Sequence, residues 1–573
     1  MYILGIHDGH NSAACLLKDG KLVFAIQEER LTGIKNYWGH PLKAIDACLK
    51  HEGITWAQVD HVAFAAFDGS SPGRPFISRD EYLEYTKHVL KPAPRAGLRA
   101  RLRSVLRPAK AVAVPDRLSF YPPEIAAKGN AVEKIRHHLC HVATAAFGSN
   151  IGDGHDLLIV TVDGLGDGEC ATVNVLRADG QIEPQLSVHQ AHSFAQIYAF
   201  VTVYLGFVHL EHEYKLMGMA PYGRDRDAER IADKLEGLFT YTDARWELKT
   251  PVWNLNSDER LVYESLREMF EFERFDNICA GLQLFSERFI VRFIQDWIRK
   301  TGVRRVAVSG GFFMNVKANQ KLRSLPEIEQ LFVYPSCGDE TNAMGAAYLK
   351  YFQLTGKRPE PLKNFTLGPV IDDSTLLDVL KSYGEKIRFE YCEDIEERAA
   401  DLLSKKNIVA RVKGPEEFGA RALGNRSILA HPSDTLAVRT INDMIKSRDF
   451  WMPFACSILE EEKLRYLKDW TANFSPNYMT MTYDSKNSEE ILAGMHPRDR
   501  TVRPQVVTRE QNADYHRLLS RFHDMTGIGG VLNTSYNLHG FPLVHDASAA
   551  IEVFLNSGLE YLALNQYLVT KPG

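Results

Sequence analysis

The hydrophobic positions of this chain come in short blocks that alternate with glycine-punctuated acidic turns. Tyr2 to Ile6 is an apolar block stopped by His7-Asp8-Gly9. Ala13 to Leu17 is a second, closed by Asp19-Gly20, and Lys21 to Gln27 resumes as a third. Asp-Gly between two alternating apolar runs is a strong hairpin signal, so these blocks predict three strands. The pattern recurs at Leu157 to Val162, followed by the turn Asp163-Gly164-Leu165-Gly166-Asp167-Gly168 and the strand Cys170 to Leu176. Two copies of strand, acidic glycine turn and strand predict a duplicated α/β fold whose turns face each other across a cleft. A third glycine turn, in Val306 to Asn315 (VAVSGGFFMN), joins a β-branched strand to a helix. Such a turn either is simply tight or lets backbone N–H groups approach a phosphate.

From Tyr351 to Asp372 the chain turns rich in proline, glycine and charge, and a domain boundary is placed there, dividing residues 1–358 from 359–573. The later residues alternate helix-like and strand-like stretches and end in Glu560 to Val569, read as one final strand.

Composition narrows the class. With 573 residues the chain needs more than one core. A formal net charge of −5 argues against a general nucleic-acid binder. No apolar run approaches the roughly 18 residues of a membrane span, and the start MYILGIHDGH has no secretory-signal pattern. The eight cysteines include no C-x-x-C pair, which fits reduced thiols in a cytoplasmic protein. One stretch, Lys91 to Lys110, holds five arginines, two lysines and no acid. It is either a solvated insertion or a contact for an anionic partner.

His137 and His141, in HHLCH, are four apart and so share one face of a helix. Histidine pairs at this spacing also arise by chance, so spacing alone leaves both metal binding and packing open. Asp163 and Asp339 offer two further ligands, and a mixed nitrogen/oxygen set suits Fe(II), Mn(II) or Zn(II). In the last third, Arg421 and Arg426 lie in GPEEFGARALGNRS, Lys446 and Arg448 in IKSRDFWMPFA, Arg503 in TVRPQVV, and Asn533, Ser535 and Asn537 in NTSYN. Singly these are ordinary residues; together they describe a basic, hydrogen-bond-rich pocket for small polyanions.

The motifs HNSAACLLKDG, HHLCHVATAAFGS, VDGLGDGE, EYKLMGMAPYG, SGGFFMN, GDETNAMGAAY and GPEEFGARALGNRS resemble those of the NodU/CmcH/TobZ carbamoyltransferases, over essentially the whole chain. The resemblance implies a Kae-type actin-like, ribonuclease H-like duplicated first domain and a YrdC-like α/β second domain. It implies an iron(II) held by His137, His141, Asp163 and Asp339, and a nucleotide cradle at Gly310, Gly311 and Asn315, with Glu213 and Lys215 nearby. His10, as general base, and Asp8 would lie beside the acceptor hydroxyl, and Lys35 near a nucleotide phosphate. Lys446, Arg503 and Ser535 would hold carbamoyl phosphate, Arg421 and Arg426 would share duty with ATP, and Mg²⁺ would accompany the ATP. The sequence departs from the family at Leu31-Thr32-Gly33-Ile34-Lys35, where Thr-Arg-x-Lys is usual, and at His212, where glycine commonly precedes Glu213. The activity implied is ATP-dependent carbamoyl transfer through carbamoyl-adenylate to a hydroxyl of a small molecule. An actin-like kinase or ATPase, or transfer to nitrogen, is the alternative, and the oligomer (a homodimer among the options) is left open.

Overall fold

The computed structural model describes residues 1–66, 117–249, 259–446, 448–474 and 477–572. The basic stretch Lys91 to Lys110 lies outside the described residues.

The apolar blocks become strands where the alternation predicts. β1 (Tyr2–His7), β2 (Ala13–Lys18) and β3 (Lys21–Gln27) form an antiparallel meander, and β4 (His61–Ala65) and β5 (Val132–Ile135) add to β1 in parallel. The next block repeats this layout. β6 (Leu157–Gly166), β7 (Glu169–Leu176) and β8 (Ile182–His189) form the meander, and a separate hairpin, β9 (Phe239–Thr242) with β10 (Arg245–Leu248), follows. β11 (Arg305–Ser309) and β12 (Gln330–Val333) then add to β6 in parallel. The sheet orders are β3-β2-β1-β4-β5 and β8-β7-β6-β11-β12, the same order drawn twice. The turn chemistry repeats as well: Asp19-Gly20 has φ of 51° and 87°, and Asp167-Gly168 has 50° and 87°. Positive φ at both central residues gives the primed turn that matches strand twist.

After the helix Asn342–Thr355 the chain builds a third sheet. Its strands are β13 (Arg388–Tyr391), β14 (Val409–Val412), β15 (Arg426–Ala430) and β16 (Ala455–Leu459), then β19 (Pro504–Val507) and β20 (Gly530–Ser535). The short pair β17 (Tyr483–Asp484) and β18 (Thr501–Val502) lies apart from it. The expected single final strand is instead a hairpin of β21 (Tyr561–Leu564) and β22 (Tyr567–Thr570). Asn565, with φ of 47°, turns the chain there, a conformation asparagine tolerates better than most residues. The order is β13-β22-β21-β14-β15-β20-β16-β19.

Alternate residues of the third sheet feed two cores, Ala410 and Val412 on one face and Val409 on the other. The largest core joins both sheets of the first block and takes in Phe365, Phe418, Cys456 and Val506 from the later residues. The halves therefore share an apolar interior. All eight cysteines are free. Among the described residues no helix is long and apolar enough to cross a membrane.

Candidate active site

The helix His137–Phe147 presents His137 and His141 one turn apart, and the backbone N–H of His137 is capped by Asp167 at 2.7 Å. Their Nε2 atoms are 3.1 Å apart. Both face the carboxylate of Asp163, at 3.3 and 3.1 Å, and that of Asp339, at 3.4 and 3.6 Å. One ligand atom from each of the four residues falls within 4.8 Å of the others. Two imidazole nitrogens turned on the same two carboxylates are reconciled by a shared proton or by one shared cation, and the donor set suits a borderline divalent metal. Burial disfavours a charged His141, but the hydrogen bonds and charges of Asp163 and Asp339 prevail and push its pKa up to about 9. Ser309 Oγ lies 3.4 Å from His141 Nδ1 and fixes the ring from behind. His138 points away, to Thr161 at 2.8 Å, as the helical rotation requires. Asp163 and Asp339 keep 15 and 25% of their side chains exposed, so the cluster has one open side.

The turn after β1 stands beside this cluster. His10 Nε2 is buried with no hydrogen-bond partner among the described residues. Burial lowers its pKa, opposed chiefly by the charge of Asp339. His10 is thus neutral at neutral pH and able to accept a proton. Asp8 is different. Its carboxylate takes both guanidinium arms of Arg117, Nε at 2.7 Å and Nη2, and the Tyr121 hydroxyl at 2.8 Å. Burial works against its charge, yet His40, Arg117 and Tyr121 hold the carboxyl well below the usual range. The geometry makes Asp8 an anchor of the turn rather than a second base. Removing Arg117 leaves that buried charge unpaired, so Arg117→Ala should cost roughly 3–5 kcal/mol of stability, read as a lower calorimetric Tm; an unchanged Tm would show that Asp8 does not need it.

Gly310 has φ of 104°, and a Cβ there would lie 2.3 Å from Val162 O, so the Gly-Gly turn must pass close to β6. Asn315 caps the helix Val316–Arg323 and exchanges two 3.0 Å hydrogen bonds with Gln283. Its amide is committed to structure. Lys35 pairs with Glu211 at 2.8 Å, and Glu213 accepts the Leu210 N–H at 2.7 Å. Lys215 reaches across to Asp449 at 3.0 Å.

The last third sorts its predicted residues into two groups. Arg421, Arg448 and Arg503 are partly buried, Arg448 depresses Arg421 and both depress Arg503, and the three form no ion pair among the described residues. Burial first, then Arg448, brings Arg421 down to about 10. Three neighbouring cations with no carboxylate paired to them among the described residues favour an anion nearby. Lys446, on a π-helical turn Asn442–Lys446, is tied to Ser535 and Asn537 by four contacts of 2.6 to 3.2 Å. Arg426 does not join the pocket. It is fully buried, and its guanidinium holds the carbonyls of Gly414, Asn425 and Pro369. Asn533 likewise points inward, to Ala422 O at 3.1 Å and Ser457 at 3.0 Å. Sequence reasoning missed Arg117, Tyr121, Ser309 and Asn342, whose amide lies 3.3 Å from His141 Nε2. Asn342 carried a signal, since it follows Asp339 by three residues.

These features define an α/β protein with a candidate metal cluster among its earlier residues and a group of arginines among its later ones. The family follows from the sequence itself: residues 2–348 match the carbamoyltransferase N-terminus model and 400–571 the carbamoyltransferase C-terminus model. The chain belongs to the carbamoyltransferase family and is a transferase enzyme. An uncharacterized protein of Synechocystis sp. is 30% identical, over 100% of this chain and 97% of that one. Nodulation protein NolNO of Sinorhizobium fredii is also 30% identical, over 98% of this chain and 79% of its own length. Among solved structures, the activator of the 2-hydroxyisocaproyl-CoA dehydratase from Clostridium difficile, with bound ADPNP, covers 62% of this chain and 96% of its own. At 15% identity and a TM-score of 0.31 that likeness is too slight to build on.

Proposed function

We propose that this transferase is an ATP-dependent O-carbamoyltransferase of two active halves, residues 1–358 with an actin-like, Kae-type build and 359–573 with a YrdC-like one. The observation that carries the reading is the pairing of a neutral His10, whose Nε2 has no hydrogen bond among the described residues, beside the four-residue cluster with three arginines in the other half that form no ion pair there.

In the second half, Arg421, Arg448 and Arg503 receive the phosphates of ATP and carbamoyl phosphate, and Lys446 orients the Ser535–Asn537 loop beneath them. Water hydrolyses carbamoyl phosphate to carbamate and phosphate, its oxygen ending on one product and its proton released. The carbamate oxygen attacks the α-phosphorus of ATP, giving carbamoyl-adenylate and pyrophosphate. This exchanges a poor acylating agent for a mixed anhydride with a good leaving group. In the first half, His10 Nε2 takes the proton of an acceptor hydroxyl as its oxygen attacks the carbamoyl carbon and AMP leaves. Asp8, locked by Arg117, keeps the His7–His10 turn in place. His137, His141, Asp163 and Asp339 would hold Fe(II) or another divalent ion, which when bound supplies positive charge to the adenylate phosphate. The Gly310-Gly311 turn leaves room for the nucleotide, and Lys35 and Lys215 line the approach. The acceptor is a hydroxylated small molecule.

The test is the nucleotide product. With ATP, carbamoyl phosphate, Mg²⁺ and a panel of hydroxylated acceptors, AMP and pyrophosphate should form, with an acceptor heavier by one carbamoyl group. Formation of ADP instead would point to a kinase and sink the reading.

A further inference from the structure

The arginine pocket hangs on a loop whose anchors come from both halves of the protein. On its C-terminal side, residues 422–426 are pinned from within the second half. Glu417 Oε1 accepts the N–H groups of Leu423, Asn425 and Arg426 at 2.7 to 3.0 Å. Gln505 donates to Leu423 O at 2.8 Å, and Asn533 donates to Ala422 O. On its N-terminal side the Phe418 N–H donates to Phe365 O at 2.9 Å within the second half, and the first half takes over at Gly419. There the Gly419 N–H donates to Gln27 Oε1 at 3.1 Å, and Gly419 O accepts from Arg30 Nη2 at 2.7 Å. Gln27 ends β3 and Arg30 lies in the short helix that follows, both in the first half.

Both peptide groups of Gly419 are thus read by one buried unit. Arg30 Nη2 also donates to Gln27 Oε1 at 3.1 Å, and its Nε lies 3.2 Å from Glu416 Oε1. Arg30 and Gln27 are only 4% exposed. Gly419 has φ of 84°, and a Cβ on it would lie 2.8 Å from the Ser336 side chain, three residues before Asp339. The clamp therefore sits between the Ser336–Asp339 loop and Arg421, which follows Gly419 by two residues. Mutual repulsion of Arg421, Arg448 and Arg503 favours a loop that swings out, so the backbone must be fixed from both ends.

We propose that Arg30, with Gln27, is a positioning residue: it completes the second half's anion pocket from the first half by fixing the Gly419 peptide and so the place of Arg421. The pocket is then correctly formed only while the two halves are docked. This rests on the reading of that pocket as the ATP and carbamoyl phosphate site.

Arg30→Lys and Gln27→Leu in the full chain test it. Lysine keeps the charge but has a single point donor in place of the planar fork. ATP affinity by titration calorimetry, and KM for ATP in pyrophosphate release with carbamoyl phosphate, should each weaken by about tenfold in both variants, with kcat changed far less. Co(II) binding at the His137 cluster, read by visible absorption, should stay at the wild-type level. ATP affinity within twofold of wild type in both variants would overturn the assignment. So would a parallel loss of Co(II) binding, which would make the clamp a general support of the interface. Wild-type protein that binds ATP but releases no pyrophosphate would count against the proposed function instead, while the calorimetric comparison would still judge the clamp.

Discussion

His10→Ala is expected to lower the rate of carbamoyl transfer by about 10²–10⁴-fold, the usual span for removing a general base, while leaving pyrophosphate release in the other half within about twofold. The selectivity is the point. His10 Nε2 has no hydrogen bond to lose among the described residues, so its removal should disturb the fold little. The pH profile adds a second readout. A base must be unprotonated to act, and burial sets the His10 pKa below the ordinary imidazole value. Transfer should therefore stay level as pH falls to about 6.5, the unperturbed imidazole value, and decline only below it, as His10 gains its proton. A profile that already falls through neutral pH would assign the proton transfer to another group. Equal loss of both half-reactions in His10→Ala would do the same.

The second large effect concerns the cluster. His141→Ala removes one of four ligands whose donor atoms lie within 4.8 Å of one another. Metal affinity should fall by on the order of 100-fold or more, since even residues behind a ligand are worth 10–100-fold. Bound metal, measured by elemental analysis after gel filtration, should drop accordingly, and transfer should stop. Pyrophosphate release should persist, because Arg421, Arg448 and Arg503 do not touch the cluster's ligands. Stripping the wild-type protein with a chelator, removing the chelator and then restoring Mg²⁺ should produce the same division. Full metal retention in His141→Ala would remove it from the ligand set, and joint loss of both half-reactions would refute the separation of the two chemistries.

Much of this was legible in local pattern. The apolar blocks Tyr2 to Ile6, Ala13 to Leu17 and Lys21 to Gln27, answered by Leu157 to Val162 and Cys170 to Leu176, pointed to a duplicated fold. The Asp-Gly turns did so because only residues tolerant of positive φ close such hairpins. Spacing put His137 and His141 on one helical face. Glu560 to Val569 was misread because it is apolar almost throughout, and only Asn565 marks the turn.

What the sequence by itself determined, then, is periodic or adjacent: the duplicated strands, the histidine pair, the glycine-rich arginine loop, and membership of the carbamoyltransferase family. What the tertiary structure decided is which charges are already satisfied. Asp8 meets Arg117 across 109 residues, and Gly419 meets Arg30 across 389. Arg421 and Arg426 share one motif, yet one faces other cations and the other is spent on three carbonyls. The physical reason is range. Strand and helix patterns arise from neighbours along the chain, whereas a buried charge takes its role from the partner that folding brings to it.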